Sequence, residues 1–194
     1  MIKNSRFLIE DTLKETSKDN SDINNVVFMT NCSAQVINFD KVKEEYIREL
    51  NLSKSPCSVD AIIIKIYIKK YSGDLPSITF IEFKNGKVGK TESFEIRKKI
   101  VDSLLIFFDI SKTNIGFTRK VADFILVYNE SKYDSEETIQ KSQSREAIIK
   151  KIGKLSKKPI IKFGLEDFEQ YCFKNVFTYS EVEFEKNYIQ KYGL

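Results

Sequence analysis

The stretch VDAIIIKIYIKKYSGDLPSITFIEFKNG, residues 59–86, decides the fold. It holds two Ile-rich runs, Asp60–Tyr71 and Ser77–Lys84, separated by Ser72-Gly73-Asp74-Leu75-Pro76. Runs of β-branched residues bounded by Gly and Pro predict two strands joined as an antiparallel hairpin. In the first, Ile62, Ile64, Ile66 and Ile68 share one face, and Ile63, Lys65, Tyr67 and Lys69 share the other. In the second, alternation puts Glu82 and Lys84 on the face of Ile78 and Phe80. A carboxylate and an ammonium are thereby set beside an apolar surface, a costly place for charge without a partner or a function.

Outward from this hairpin the pattern changes period. Upstream, Val42, Tyr46, Ile47 and Leu50 make a helical stripe, with Asp40 as its N-cap, running to about Leu52 and ending at Ser55-Pro56-Cys57. Glu45 and Glu49 flank that stripe. Downstream, an Asn85-Gly86 turn leads to a helix over Glu95–Asp109, whose apolar face is Ile96, Ile100, Leu104, Phe107 and Phe108. Arg97 falls inside that face near the helix start, where it can either meet a phosphate or carboxylate or extend to solvent. Val121–Tyr128, VADFILVY, reads as a buried strand reached by a crossover.

The flanks predict a short helix over 2–13, a polar loop over 14–25 and a short strand over Val26–Met29. After Tyr128 come a polar segment to Ser144, a helix over Ser144–Leu155 and a short strand over Pro159–Phe163. Leu165–Phe177 follows, with Leu165, Phe168 and Cys172 in helical register, and a last helix is capped by Ser180 with Glu183 three residues on. The expectation is one α/β (α+β) domain over 1–194: a central mixed sheet flanked by helices, core about 40–128, and a helical extension over about 144–194.

Composition narrows the chemistry. The 194 residues are 41% hydrophobic and 12% aromatic, enough for a core without disulfides. There is no histidine, which excludes Ser-His-Asp, Cys-His and His-ligated zinc chemistry within one chain. Cys32, Cys57 and Cys172 have no ligand spacing, and their small odd number suits a reducing cytoplasm. No apolar run approaches a membrane span, and the first residues lack a secretory pattern, so no membrane partner is expected. The net charge is only +4, but Lys84–Lys120 carries nine bases against four acids and Lys141–Lys162 eight against one. Such clusters can track a phosphate backbone, or can be ordinary solvated lysine.

Asp60 at the head of one strand, Glu82-Phe83-Lys84 at the end of the next, and a helix and buried strand beyond together resemble the PD-(D/E)xK nuclease superfamily, the fold group of many restriction endonucleases. The resemblance implies a restriction-endonuclease-like core in which Asp60, Glu82 and the Phe83 carbonyl bind magnesium, with manganese as a substitute. Asp60, Glu82 and Lys84 would then be catalytic. It further implies an accessory acid on the first helix, Glu45 or Glu49, and scissile-phosphate contacts from Arg97 and Lys98. The expected activity is metal-dependent cleavage of nucleic acid, DNA in preference to RNA, in a defence system or mobile element. Relatives that cut duplex DNA are often homodimers. Two departures stand out: Val59 replaces the family's proline, and a turn centred near Asp74 would set residue 64 opposite 84, so that a register shift or bulge must bring Asp60 to Glu82.

Two other readings fit the same residues. The fold can serve as a catalytically inactive module that binds nucleic acid or protein. Alternatively the acidic, aromatic region Leu165–Leu194 can dock a partner, although a helical aromatic stripe usually belongs to a core.

Overall fold

The computed structural model describes residues 5–22, 24–65, 78–133 and 160–194. Their centre is a six-stranded mixed sheet in the order β1 (Glu10–Thr12), β4 (Gln35–Asn38), β5 (Ala61–Ile64), β6 (Ile78–Lys84), β7 (Ala122–Tyr128), β8 (Asn175–Ser180). The pairs from β1 to β6 are antiparallel, whereas β6, β7 and β8 run parallel. A two-stranded ribbon, β2 (Lys18–Asp19) with β3 (Val27–Phe28), stands apart from the sheet.

Both faces of the sheet are covered, which explains the continuous apolar runs of β5 and β7. On one side Ile62, Ile78, Phe80, Phe124 and Tyr128 pack with α2 (Phe39–Leu50) and α3 (Lys90–Ser111). On the other, Ala61, Ile63, Ile81, Ile125 and Val127 pack with Leu13 of α1 (Leu13–Thr16) and with Phe184, Tyr188 and Ile189. These last three lie on a C-terminal helix, Glu181–Phe184, that continues as a π-helix over Glu185–Gln190. Phe80 is the hub of the first side, with rings of Phe39, Phe107 and Phe173 at 6.4, 5.3 and 5.4 Å.

The parallel step from β6 to β7 needs a crossover, and α3 with α4 (Ile115–Val121) supplies it. Ile96, Ile100, Leu104 and Phe107 are buried as their spacing predicts. The Ser180 cap is also present: its hydroxyl accepts the Glu183 N–H, and the Glu183 carboxylate accepts the Ser180 N–H.

Several expectations are corrected. Residues 10–12 form the edge strand β1, and only Ser5–Phe7 is helical before it, as a 3-10 turn. The cap of α2 is Asn38, whose side chain accepts the Lys41 N–H; Asp40 sits inside the first turn. Leu50 is exposed, and Phe39 takes the buried place on that helix. The segment 160–163 is not a strand, whereas Asn175–Ser180 is one, so the C-terminal region adds β8 to the sheet as well as a helix. The expected strand beyond Lys65, the 72–76 turn and the helix over 144–155 lie outside the described residues.

The register is shifted from that of a turn centred near Asp74, as bringing Asp60 to Glu82 requires. Ala61 lies opposite Ile81, which sets Ile64 against Ile78 instead of residue 84. Replacing Phe80 by Ala removes a ring packed by three others, and the expected loss is about 3–5 kcal/mol. Urea unfolding of Phe80→Ala checks it; a loss below about 1 kcal/mol contradicts this packing.

Candidate functional site

Asp60 ends up beside Glu82 because its segment is fastened from three directions. The Asp102 carboxylate accepts the Cys57 N–H at 2.8 Å, and the Ser103 hydroxyl accepts the Val59 N–H at 2.8 Å, both from α3. The Asp60 carbonyl accepts the Phe39 N–H at the start of α2, at 3.0 Å. Its own N–H donates to the Ile81 carbonyl of β6, at 3.1 Å. Ile81 therefore meets both Asp60 and Ala61, the two-against-one count of a bulge, and this offset brings Asp60 to the end of β6.

The Asp60 carboxylate completes the strand pairing. Its Oδ2 accepts the Phe83 N–H at 2.6 Å, in place of a ladder carbonyl. Its Oδ1 lies 3.7 Å from the Lys99 ammonium. Lys99 Nζ donates to Glu82 Oε1 at 2.6 Å. Glu82 is 1% exposed, and its second oxygen, Oε2, is buried with no hydrogen-bond partner among the described residues. An orphaned carboxylate oxygen at that depth is costly unless a water or cation meets it.

The electrostatics follow from this burial. Desolvation raises the Asp60 pKa to about 6, against the opposing pull of Lys99 and the Phe83 N–H. Desolvation also raises Glu82 well above the usual carboxylate range, with the Asp60 charge adding to it and Lys99 opposing. Burial works against the Lys99 charge, but the two facing carboxylates outweigh it, and its pKa is raised. Asp40 adds negative potential nearby; it accepts from the Ser58 hydroxyl and pairs with Lys43 at 3.0 Å.

These groups line a cleft of about 410 Å³ at the carboxyl end of β6, where an open α/β sheet commonly binds its ligand. Asp60, Glu82, Phe83, Lys84, Lys99, Lys18 and Lys132 all contribute to its lining. One wall is the β2–β3 ribbon. It is tied to the sheet through Asn85, whose amide donates to Asp19 at 2.7 Å while its oxygen accepts from Asn129 at 2.7 Å.

The structure thus gathers Asp60, Glu82, Phe83 and Lys84 around one cleft and leaves the other candidates elsewhere. Glu45 pairs with Arg48 on its own helix, and Glu49 lines a separate cavity with Tyr46 and Asp109. Arg97 is spent on the C-terminal region: it donates to the Gly164 carbonyl, pairs with Asp167 at 2.6 Å and lies over the Phe168 ring. Lys98 is exposed on α3 and does not line the cleft. The basic run over 141–159 lies outside the described residues.

Sequence reading passed over Lys99, yet the signal was available. Ile96, Lys99, Ile100, Ser103, Leu104 and Phe107 follow the helical stripe, so a lysine at position 99 must face the sheet and find acids there.

Two carboxylates with a main-chain oxygen suit magnesium, which is held by one or two carboxylates and keeps several waters. Phe83 directs its N–H toward Asp60, and in an extended strand the carbonyl of the same residue points to the same edge. The orphaned Glu82 Oε2 is the further oxygen that such an ion needs, so the donor set fits. No cluster of three or more Asp, Glu, Cys or His is present among the described residues, so carboxylates alone would not saturate an ion there. No helix among the described residues is long and apolar enough to cross a membrane. No family model, no curated protein and no solved structure matches this chain.

The acid pair makes stability depend on pH. An acid whose folded pKa exceeds its unfolded one binds its proton more tightly in the folded chain. Its stabilisation is present at low pH and is lost as pH rises from about 4 through the folded value. For Asp60 that folded value is about 6. Chelator-treated protein should therefore lose more stability than Glu82→Gln between about pH 4 and about pH 7. Thermal unfolding of both across that window checks it; equal slopes contradict the burial of an ionisable pair.

Proposed function

We propose that this protein is a metal-dependent phosphodiesterase acting on nucleic acid, with its centre at Asp60, Glu82 and Lys84. The observation that carries the reading is the orphaned, buried Glu82 Oε2 beside Asp60, in a cleft lined by four lysines. From α2 to β7 the order is helix, strand, strand, two helices, strand, and this supports the restriction-endonuclease-like core implied by the resemblance to the PD-(D/E)xK superfamily, with α4 added to the crossover.

Asp60, Glu82 and the Phe83 carbonyl would hold magnesium or manganese. When bound, the metal supplies charge neutralisation at a phosphate and a water acidic enough to attack it near neutral pH. The chain's own groups do the rest. Lys99 fixes Glu82 by one oxygen, which leaves the other as the free ligand. Lys84 lines the cleft beyond Glu82, where its ammonium stabilises charge developing on the phosphate oxygens. The Asp60 carboxylate is held by the Phe83 N–H, so its orientation does not depend on substrate. Lys18 and Lys132 add positive potential that draws in a polyanion.

One observation favours a second reading. Lys99 already gives the acid pair a countercharge, so the same triad can be a structural ion pair in a binding module without catalysis.

Incubation with single-stranded, linear and supercoiled DNA and with RNA, in magnesium, manganese or chelator, separates the two. The expected result is cutting that requires metal and is abolished by Asp60→Asn or Glu82→Gln, with both variants folded by circular dichroism. Lys84→Ala should lower the rate about a hundredfold or more. Binding without cutting in any metal would assign the module instead.

A further inference from the structure

Glu82 is 1% exposed, and the Asp60 side chain only 14%. A phosphodiester that reaches them must enter the cleft together with its flanking sugars. The volume of about 410 Å³ is that of a small-ligand pocket, room for roughly one or two nucleotides. The β2–β3 ribbon bounds one side, and it is held by the Asp19–Asn85–Asn129 chain of hydrogen bonds. Lys18 stands on that ribbon, and Lys132 stands on α5 (Glu130–Tyr133) beyond the end of β7.

Duplex DNA is a stiff rod with a persistence length of about 50 nm, and its phosphates are spread over a convex surface. Bringing one of them to the floor of such a cleft requires the strands to part, which costs base pairing and stacking. A lone strand has no such cost, and a cleft lined by four lysines can follow its backbone.

We infer that the cleft takes a single nucleic-acid strand, with Lys18 of the ribbon and Lys132 of α5 on its phosphates, and not an intact duplex. This rests on the phosphodiesterase reading and names its substrate class. The acid pair is the buried part of the cleft, Lys18 and Lys132 line it together with Lys84 and Lys99, and a duplex enters only at a frayed end or gap.

The test is binding, read by fluorescence anisotropy on chelator-treated wild-type protein and on Glu82→Gln in magnesium. The probes are a labelled oligonucleotide of about twenty residues as DNA strand, RNA strand and blunt DNA duplex. The strand of either sugar should bind at least about tenfold more tightly than the duplex. Lys18→Ala and Lys132→Ala should each reduce the slope of log affinity against log salt by about 0.7, the value for one phosphate contact on a single strand. Equal or tighter duplex binding overturns the inference, as do unchanged salt slopes in both variants. Strand binding that persists while no metal supports cutting would sink the hydrolytic reading alone and leave the strand specificity standing.

Discussion

The burial of two carboxylates against one ammonium is the constraint on which this structure turns. Asp60 and Glu82 lie where the sheet meets α3, with Lys99 reaching down to both. Coulomb attraction in a medium of low polarity holds the three together, but the numbers of charges do not match. Two acids share one ammonium, and one oxygen, Glu82 Oε2, is left without a hydrogen-bond partner among the described residues. An orphaned buried oxygen of this kind is costly unless a water or cation meets it.

Most of the surrounding architecture sets the position of Asp60. Consecutive residues of α3, Asp102 and Ser103, take the N–H groups of Cys57 and Val59, and the first turn of α2 takes the Asp60 carbonyl. The same helix α3 therefore delivers Lys99 to the acids and fixes the backbone of one of them. Its apolar stripe, buried against Phe80 and its neighbours, makes the rest of that geometry rigid. Side chains held by elements that are themselves locked in a core keep their alignment without help from a ligand.

Much of this was legible in the residues. Alternation in ITFIEFK placed Glu82 on the face of Phe80, and the period of α3 gave its buried side. VADFILVY announced a strand buried on both faces. What failed was long-range. The register of β5 on β6 depends on side-chain to backbone bonds from α3, forty-odd residues away, and no local pattern carries them. β8 was missed because Leu165, Phe168 and Cys172 keep helical spacing up to the strand's edge, although burial alternates over the first four residues of Asn175–Ser180. Arg97 meets a carboxylate, one of the two partners its position allowed, but Asp167 and Gly164 come from a segment whose path the sequence does not announce. Lys99 needed only a stricter reading of the stripe.

The most direct measurement is calorimetric titration of magnesium and of manganese into chelator-treated, dialysed protein at neutral pH, with Glu82→Gln beside it. The account predicts saturable binding of at least one divalent ion per chain, accompanied by proton release because burial holds Glu82 well above the usual carboxylate range, and loss of that binding in the variant. Heats indistinguishable from dilution at millimolar metal, or identical isotherms for wild type and variant, would contradict it.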